Sequence, residues 1–222
     1  MGLFDLFSEG APPLVEEAFE NVTNMLSDGH HMFESATAFA LDNEILDDDL
    51  SAVDEDINRC EQELRRSLLE HLTVNPDREM VFSLKLISIV GEAERIGDIA
   101  KSIVKAGRLA HKPRMGPHVE PLRDMRNRVR TMFDLAKQGF VEEDPEAARR
   151  LMSMHEEIKD DTTVYLSNLA EADDLTANEG IVYALLARLL SRVSSHLSNI
   201  ASTVAAPFDR IRRAHPEGTD ET

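Results

Sequence analysis

The stretch "GEAERIGDIAKSI", Gly91 to Ile103, decides how the rest of the chain is read. Leu86, Ile89, Val90, Ala93, Ile96, Gly97, Ala100, Ile103 and Val104 recur through it and around it at three- and four-residue steps. At about 100° per residue those steps gather the apolar side chains on one side of a helix. Glu94 and Asp98 lie one turn apart on the flank of that stripe, with Ser102 in the following turn. At an offset of 97 residues the pattern returns as "LSRVSSHLSNI", Leu190 to Ile200. Leu190, Val193, Leu197, Ile200, Ala201 and Val204 keep the stripe there, while Ser191, Ser195 and Asn199 take the flank. The oily face is repeated and the carboxylates are not.

The repeat extends beyond these two helices. "MFESATAFALDNEILDDDLSAVDEDIN", Met32 to Asn58, aligns with "MFDLAKQGFVEEDPEAARRLMSMHEEIK", Met132 to Lys159. The offset is 100 residues at the Met-Phe start and 101 at Ile57 and Ile158. Helical periodicity runs from Leu14 to near Asn43, interrupted only by Gly29, and again from near Asp48 to Leu72. Pro76 then breaks the chain and Asp77 can cap a third helix reaching Ala106. "GRLAHKPRMGPH" holds two glycines and two prolines and separates this half from the next. The second half restarts near Val119, with helices to about Phe140, from Glu146 to Leu169, and a last one after "EADDLTANEG" that reaches about Phe208. The expected architecture is all-α: a six-helix bundle made of two tandem three-helix repeats. Its expected divisions are a short apolar segment (1–12), a first repeat (13–107), a linker (108–118), a second repeat (119–209) and a polar, disordered tail (210–222).

Composition agrees with that and narrows the function. Hydrophobic residues make up 42% of 222, enough for a sizeable core, and few aromatics with no Trp favour helices over strands. The 42 acids outnumber the 24 bases, giving a net charge of −18. A surface this acidic repels phosphate backbones, so no nucleic acid is expected as a partner. "PLRDMRNRVR" (Pro121 to Arg130) and "RIRRAHP" (Arg210 to Pro216) are locally basic and read first as ordinary helical surface. Cys60 is the single cysteine, which excludes an internal disulfide framework, and it reads as an inert helix residue. No apolar run is long enough to span a membrane, and "MGLFDLF" lacks the features of a signal peptide and of a myristoylation site. Its Leu3, Phe4, Leu6 and Phe7 are bait for a membrane surface, a partner or the protein's own bundle, of which the bundle is expected. The expected location is cytoplasmic, with peripheral contact at the inner face of the membrane left open.

The chemistry is sparse. Two carboxylates at i and i+4 repel unless they are solvated, bridged by a base, or bridged by a cation that prefers oxygen ligands. Arg95 points away from the pair, whereas Lys101 is close in sequence. Asp54 in "AVDEDIN" and His155 in "SMHEEIK" occupy matching places on the second helices and can complete a ligand set if each packs beside its own third helix. His30 and His31 are adjacent and cannot converge on one ion from a regular helix. No Gly-rich phosphate loop, nucleophile elbow, Cys/His dyad or Glu-x-x-His pair is visible, so no catalytic residue is assigned and the chain is not expected to be an enzyme.

"ERIGDIAKSI" resembles the Glu-Arg-Ile-Gly-Asp segment of PhoU-like proteins, tandem three-helix repeats that carry it once per half. "MGLFDLF" is similar to the start of related accessory proteins of Pit-type phosphate transporters. The resemblance implies regulation of phosphate uptake and signalling through a phosphate transporter and a sensor histidine kinase, and it implies a homodimer. It also implies a metal cluster, of iron, zinc or manganese, held by Glu94 and Asp98 with Asp54 from the preceding helix. Nothing carries over onto Ser191 and Ser195, so the expectation is one asymmetric site, or a site that decayed when metal ceased to matter. Arg95, Ser102, His155 and Asn199 remain polar positions around these places. Two other functions stay open: a structural helical adaptor unrelated to phosphate, and a metal-carboxylate protein that binds or oxidises iron.

Overall fold

A computed structural model describes residues 13–47, 49–74, 80–142, 144–206 and 211, without the side chains of 13–16 and 82. Six helices follow in order: α1 (Pro13–Asp42), α2 (Leu50–Val74), α3 (Met80–Arg108), α4 (Glu120–Val141), α5 (Pro145–Ala170) and α6 (Ala177–Ala205). No strand occurs among the described residues. The fold is the expected all-α bundle of two three-helix repeats. The apolar amino-terminal segment, the Asp77 cap and the polar tail with its basic run lie outside the described residues, apart from Ile211.

Local chemistry places the helix ends. Asp144 accepts the amides of Glu146 and Ala147 at 2.8 and 3.2 Å, and Pro145 supplies a pre-set first residue, which starts α5. The last helix begins earlier than its sequence suggested, inside "EADDLTANEG". Thr176 accepts the amide of Glu179, and the Glu179 carboxylate takes the amide of Thr176 at 3.0 Å. This reciprocal capping box makes Ala177 helical in a stretch whose composition reads as loop. α1 runs through Gly29 without a break. A Cβ there would stand 3.3 Å from the Ile96 side chain, so glycine allows α1 and α3 to approach closely. α1 ends where Asn43 takes a left-handed conformation, φ 61°.

Within each half the three helices pack on one another, and between halves α3 lies along α6 while α1 crosses α4. α1, α3, α4 and α6 therefore each touch three neighbours, whereas α2 and α5 touch two. Ile99 on α3 is buried although it sits outside the stripe read from the sequence, because α6 covers that side. Phe33 and Phe133 hold equivalent places in the repeats and meet ring to ring at 5.4 Å where α1 crosses α4. Equivalent residues meeting each other define a local twofold axis between the halves.

The arginines of α4 serve this junction. Arg123 and Arg126 both bond the Asp42 carboxylate, and Arg123 also donates to the Leu41 carbonyl at 2.9 Å. Arg130 forks onto Glu34, and Arg128 holds Asp161 of α5. From the linker, Arg114 donates to the Phe39 and Ala40 carbonyls, and its backbone exchanges two bonds with the Asn43 side chain. The carbonyl end of α1, where orphan acceptors and the negative dipole end coincide, is thus closed by cations from beyond the first repeat. The basic run Pro121 to Arg130 is occupied inside the molecule.

Candidate functional site

The flank of α3 faces α2. Asp54, on the second turn of α2, is 7% exposed, a depth that a carboxylate tolerates only when it is paired. Its Oδ2 accepts from the Lys101 ammonium at 2.6 Å and from the Asn58 amide at 3.2 Å. Lys101 Nζ also lies 2.8 Å from Asp98 Oδ1, one turn back on α3. One ammonium therefore ties an α2 carboxylate to an α3 carboxylate. Gly97 permits this: a Cβ on it would stand 3.4 Å from Asp54 Oδ1 and 3.4 Å from the Ile57 side chain, so α2 rides close over the glycine.

The charges respond to this arrangement. The hydrogen bond from Lys101 holds Asp98 below the usual aspartate range despite some burial. Burial pulls Lys101 down, but Asp54 and Asp98 outweigh it and leave the ammonium above its ordinary value. Glu94 moves the other way, raised by burial and by the Asp98 and Glu61 charges.

Asp54 and Asp98 are therefore joined through Lys101, and Glu94 stands one turn before Asp98 on α3. Their donor set does not suit a resident metal as arranged. An ion bonding Asp54 Oδ2 and Asp98 Oδ1 together would stand where the ammonium stands. Among the described residues no group of three or more His, Cys, Asp or Glu side chains is placed to hold a metal ion.

The other polar positions fall elsewhere. The Ser102 hydroxyl donates to the Asp98 backbone carbonyl at 3.0 Å, and Arg95 is exposed beside Glu94. In the second repeat, His155 meets Ser194 as Asp54 meets Gly97, the same register carried 101 residues along the second helices and 97 along the third. His155 Nδ1 lies 2.9 Å from Ser194 Oγ, whose own proton goes to the Ser191 carbonyl at 2.8 Å. The Ser194 hydroxyl is thus shared between the His155 ring and the Ser191 carbonyl. Burial pushes His155 below its ordinary value. Ser191 and Ser195 are half-buried on the same flank.

Asn199 belongs to a different cluster, one the sequence pattern did not reveal. Its amide donates to Glu92 at 2.9 Å, and His196 Nδ1 lies 2.7 Å from the same carboxylate oxygen. Glu92 is only 3% exposed, on the seam where α3 meets α6. Position 92 reads as one acid among several in "GEAE", and only the neighbouring helix shows it to be internal. His30 and His31 line a cleft of about 290 Å³ between α1 and α4, with His30 stacked on Phe133 at 4.5 Å. Burial and the Glu63 charge push the Cys60 thiol up, away from the thiolate form that reacts.

Fold and site together define a duplicated, charge-clasped helical bundle. The PhoU domain is found twice in the chain, over residues 15–106 and 122–204, and the protein belongs to that family. PhoU from Pseudomonas aeruginosa has the same fold, with a TM-score of 0.79 over 86% of this chain and 95% of its own, at 19% identity. The phosphate transport system regulatory protein PhoU from Streptococcus pneumoniae aligns with a TM-score of 0.76 over 86% of this chain and 92% of its own, at 16% identity. Comparison with curated proteins gives no match.

Proposed function

We propose that the protein regulates phosphate transport by binding other proteins: a phosphate transporter, its sensor histidine kinase, or both. The observation that carries this is the family domain in both halves of the chain, in a bundle superposable on a phosphate transport system regulatory protein. The chemistry of the site is compatible with a binding role. Asp54 and Asp98 are tied to Lys101, and the Ser194 hydroxyl beside His155 also bonds the Ser191 carbonyl. No helix among the described residues is long and apolar enough to cross a membrane, so contact with a membrane-embedded partner would be peripheral. Exposed Ile181 and Leu185, one turn apart on α6, offer apolar surface for such a contact or for a second copy of the chain.

The test is affinity capture of the tagged full chain from cells grown in phosphate excess and in phosphate limitation, together with phosphate uptake in a deletion strain. Capture of a phosphate transporter or histidine kinase, stronger in excess, and altered uptake on deletion are expected. Absence of both effects in both regimes would refute the reading.

A further inference from the structure

We propose that Lys101 takes the place and the charge of a bound cation in the first repeat, so that the protein excludes divalent metal from Asp54, Glu94 and Asp98. The inference rests on the site's geometry and stands apart from the phosphate reading.

Three observations converge on the ammonium. It is the nearest cation to both Asp54 and Asp98, at 2.6 and 2.8 Å, and these two acids come from different helices. A metal bonds carboxylate oxygens at about 2.0 to 2.6 Å, so an ion reaching both oxygens must overlap the nitrogen. The remaining capacity is already directed elsewhere. Asn58 also donates to Asp54 Oδ2, and Asp54 Oδ1 lies against Gly97. Lys101 is itself held in place, with its side chain 29% exposed and two salt-bridge partners. The second repeat agrees by contrast. Ser198 stands where Lys101 stands in the first, and Ser191, Ser195 and His155 replace the acids. The countercharge is absent where the charges are absent, as expected if the lysine's role is to neutralise those carboxylates.

Mn2+ titrated calorimetrically into the metal-stripped full chain tests this, with elemental analysis as a second readout. The wild-type chain is expected to take up no Mn2+ at this place. Lys101→Met keeps the aliphatic stem and removes the charge, and it is expected to bind Mn2+ at least about tenfold more tightly than the wild type. Adding Asp54→Asn to that variant should abolish the gain. Stoichiometric metal in the wild-type chain, lost in Asp98→Asn, overturns the proposal. So does a folded Lys101→Met, verified by circular dichroism, that gains no binding. Should Lys101→Met fail to fold, the wild-type and Asp98→Asn arms decide alone: wild-type metal that depends on Asp98 overturns the proposal, and its absence upholds it.

Discussion

The Glu92 cluster yields a prediction whose size follows from its burial. Glu92, 3% exposed, holds His196 at 2.7 Å and Asn199 at 2.9 Å across the seam of the two halves. His196→Ile removes a partner at 2.7 Å from a buried carboxylate, and leaving such an acceptor under-satisfied costs about 3 kcal/mol. Glu92→Leu strands two donors instead. His196 is 15% exposed and can reach water, so the cost is about 1 to 2 kcal/mol. The double variant should cost far less than the sum, about 1 kcal/mol or under, because an apolar pair of similar volume needs no partner. The repeat supports the fit: Leu189 and Ile99, at the equivalent positions in the other half, are both buried. Urea unfolding of the four proteins at one pH gives the cycle, with constant m-values as the check on two-state behaviour. A coupling of about 3 to 5 kcal/mol is expected. Additivity within about 0.5 kcal/mol would show that the cluster is not a unit and refute the reasoning.

Burial holds the folded His155 below its ordinary 6.5, so as pH falls past that value the unfolded chain binds a proton the folded chain refuses. Stability should fall with pH in that window, by at most about 1.4 kcal/mol per unit from this group, and His155→Gln should flatten the slope measured by urea midpoints. An unchanged slope would count against it. Two glycines separate sterics from entropy. Gly107→Ala places a methyl 3.0 Å from the Phe39 ring and 3.1 Å from the Ala40 Cα, and should cost about 1 to 3 kcal/mol. Gly180→Ala meets nothing within 4 Å and should raise stability by about 0.5 to 1 kcal/mol, visible as a higher melting temperature.

How much of this was legible in the chain depends on how local each signal is. The stripe Leu86 to Val104 and its echo at Leu190 to Val204 specify helices and their buried sides through spacing alone. The Met-Phe landmarks gave the repeat its register, and the structure puts Phe33 against Phe133 on the axis between the halves. Boundary errors have local causes too. The Thr176–Glu179 capping box pulls the last helix into a stretch rich in Asp, Asn and Gly. The site was half legible. Glu94 and Asp98 share a flank by period, and Lys101 lies three residues past Asp98, so the α3 face could be drawn from the sequence.

The sequence by itself determined the class, the duplication and the loss of the acids from one copy, because each is a pattern along one chain with a fixed helical period. Which side chain neutralises which was decided by tertiary structure. Gly97 brings α2 within reach of Lys101, and α6 closes over Glu92 to turn an ordinary-looking acid into a buried one. The same holds for the arginines of α4, basic on paper and engaged by Asp42 and Glu34 in the fold. Charge pairing acts over a few ångströms, and contacts at that range between residues far apart in sequence exist only once the helices are packed.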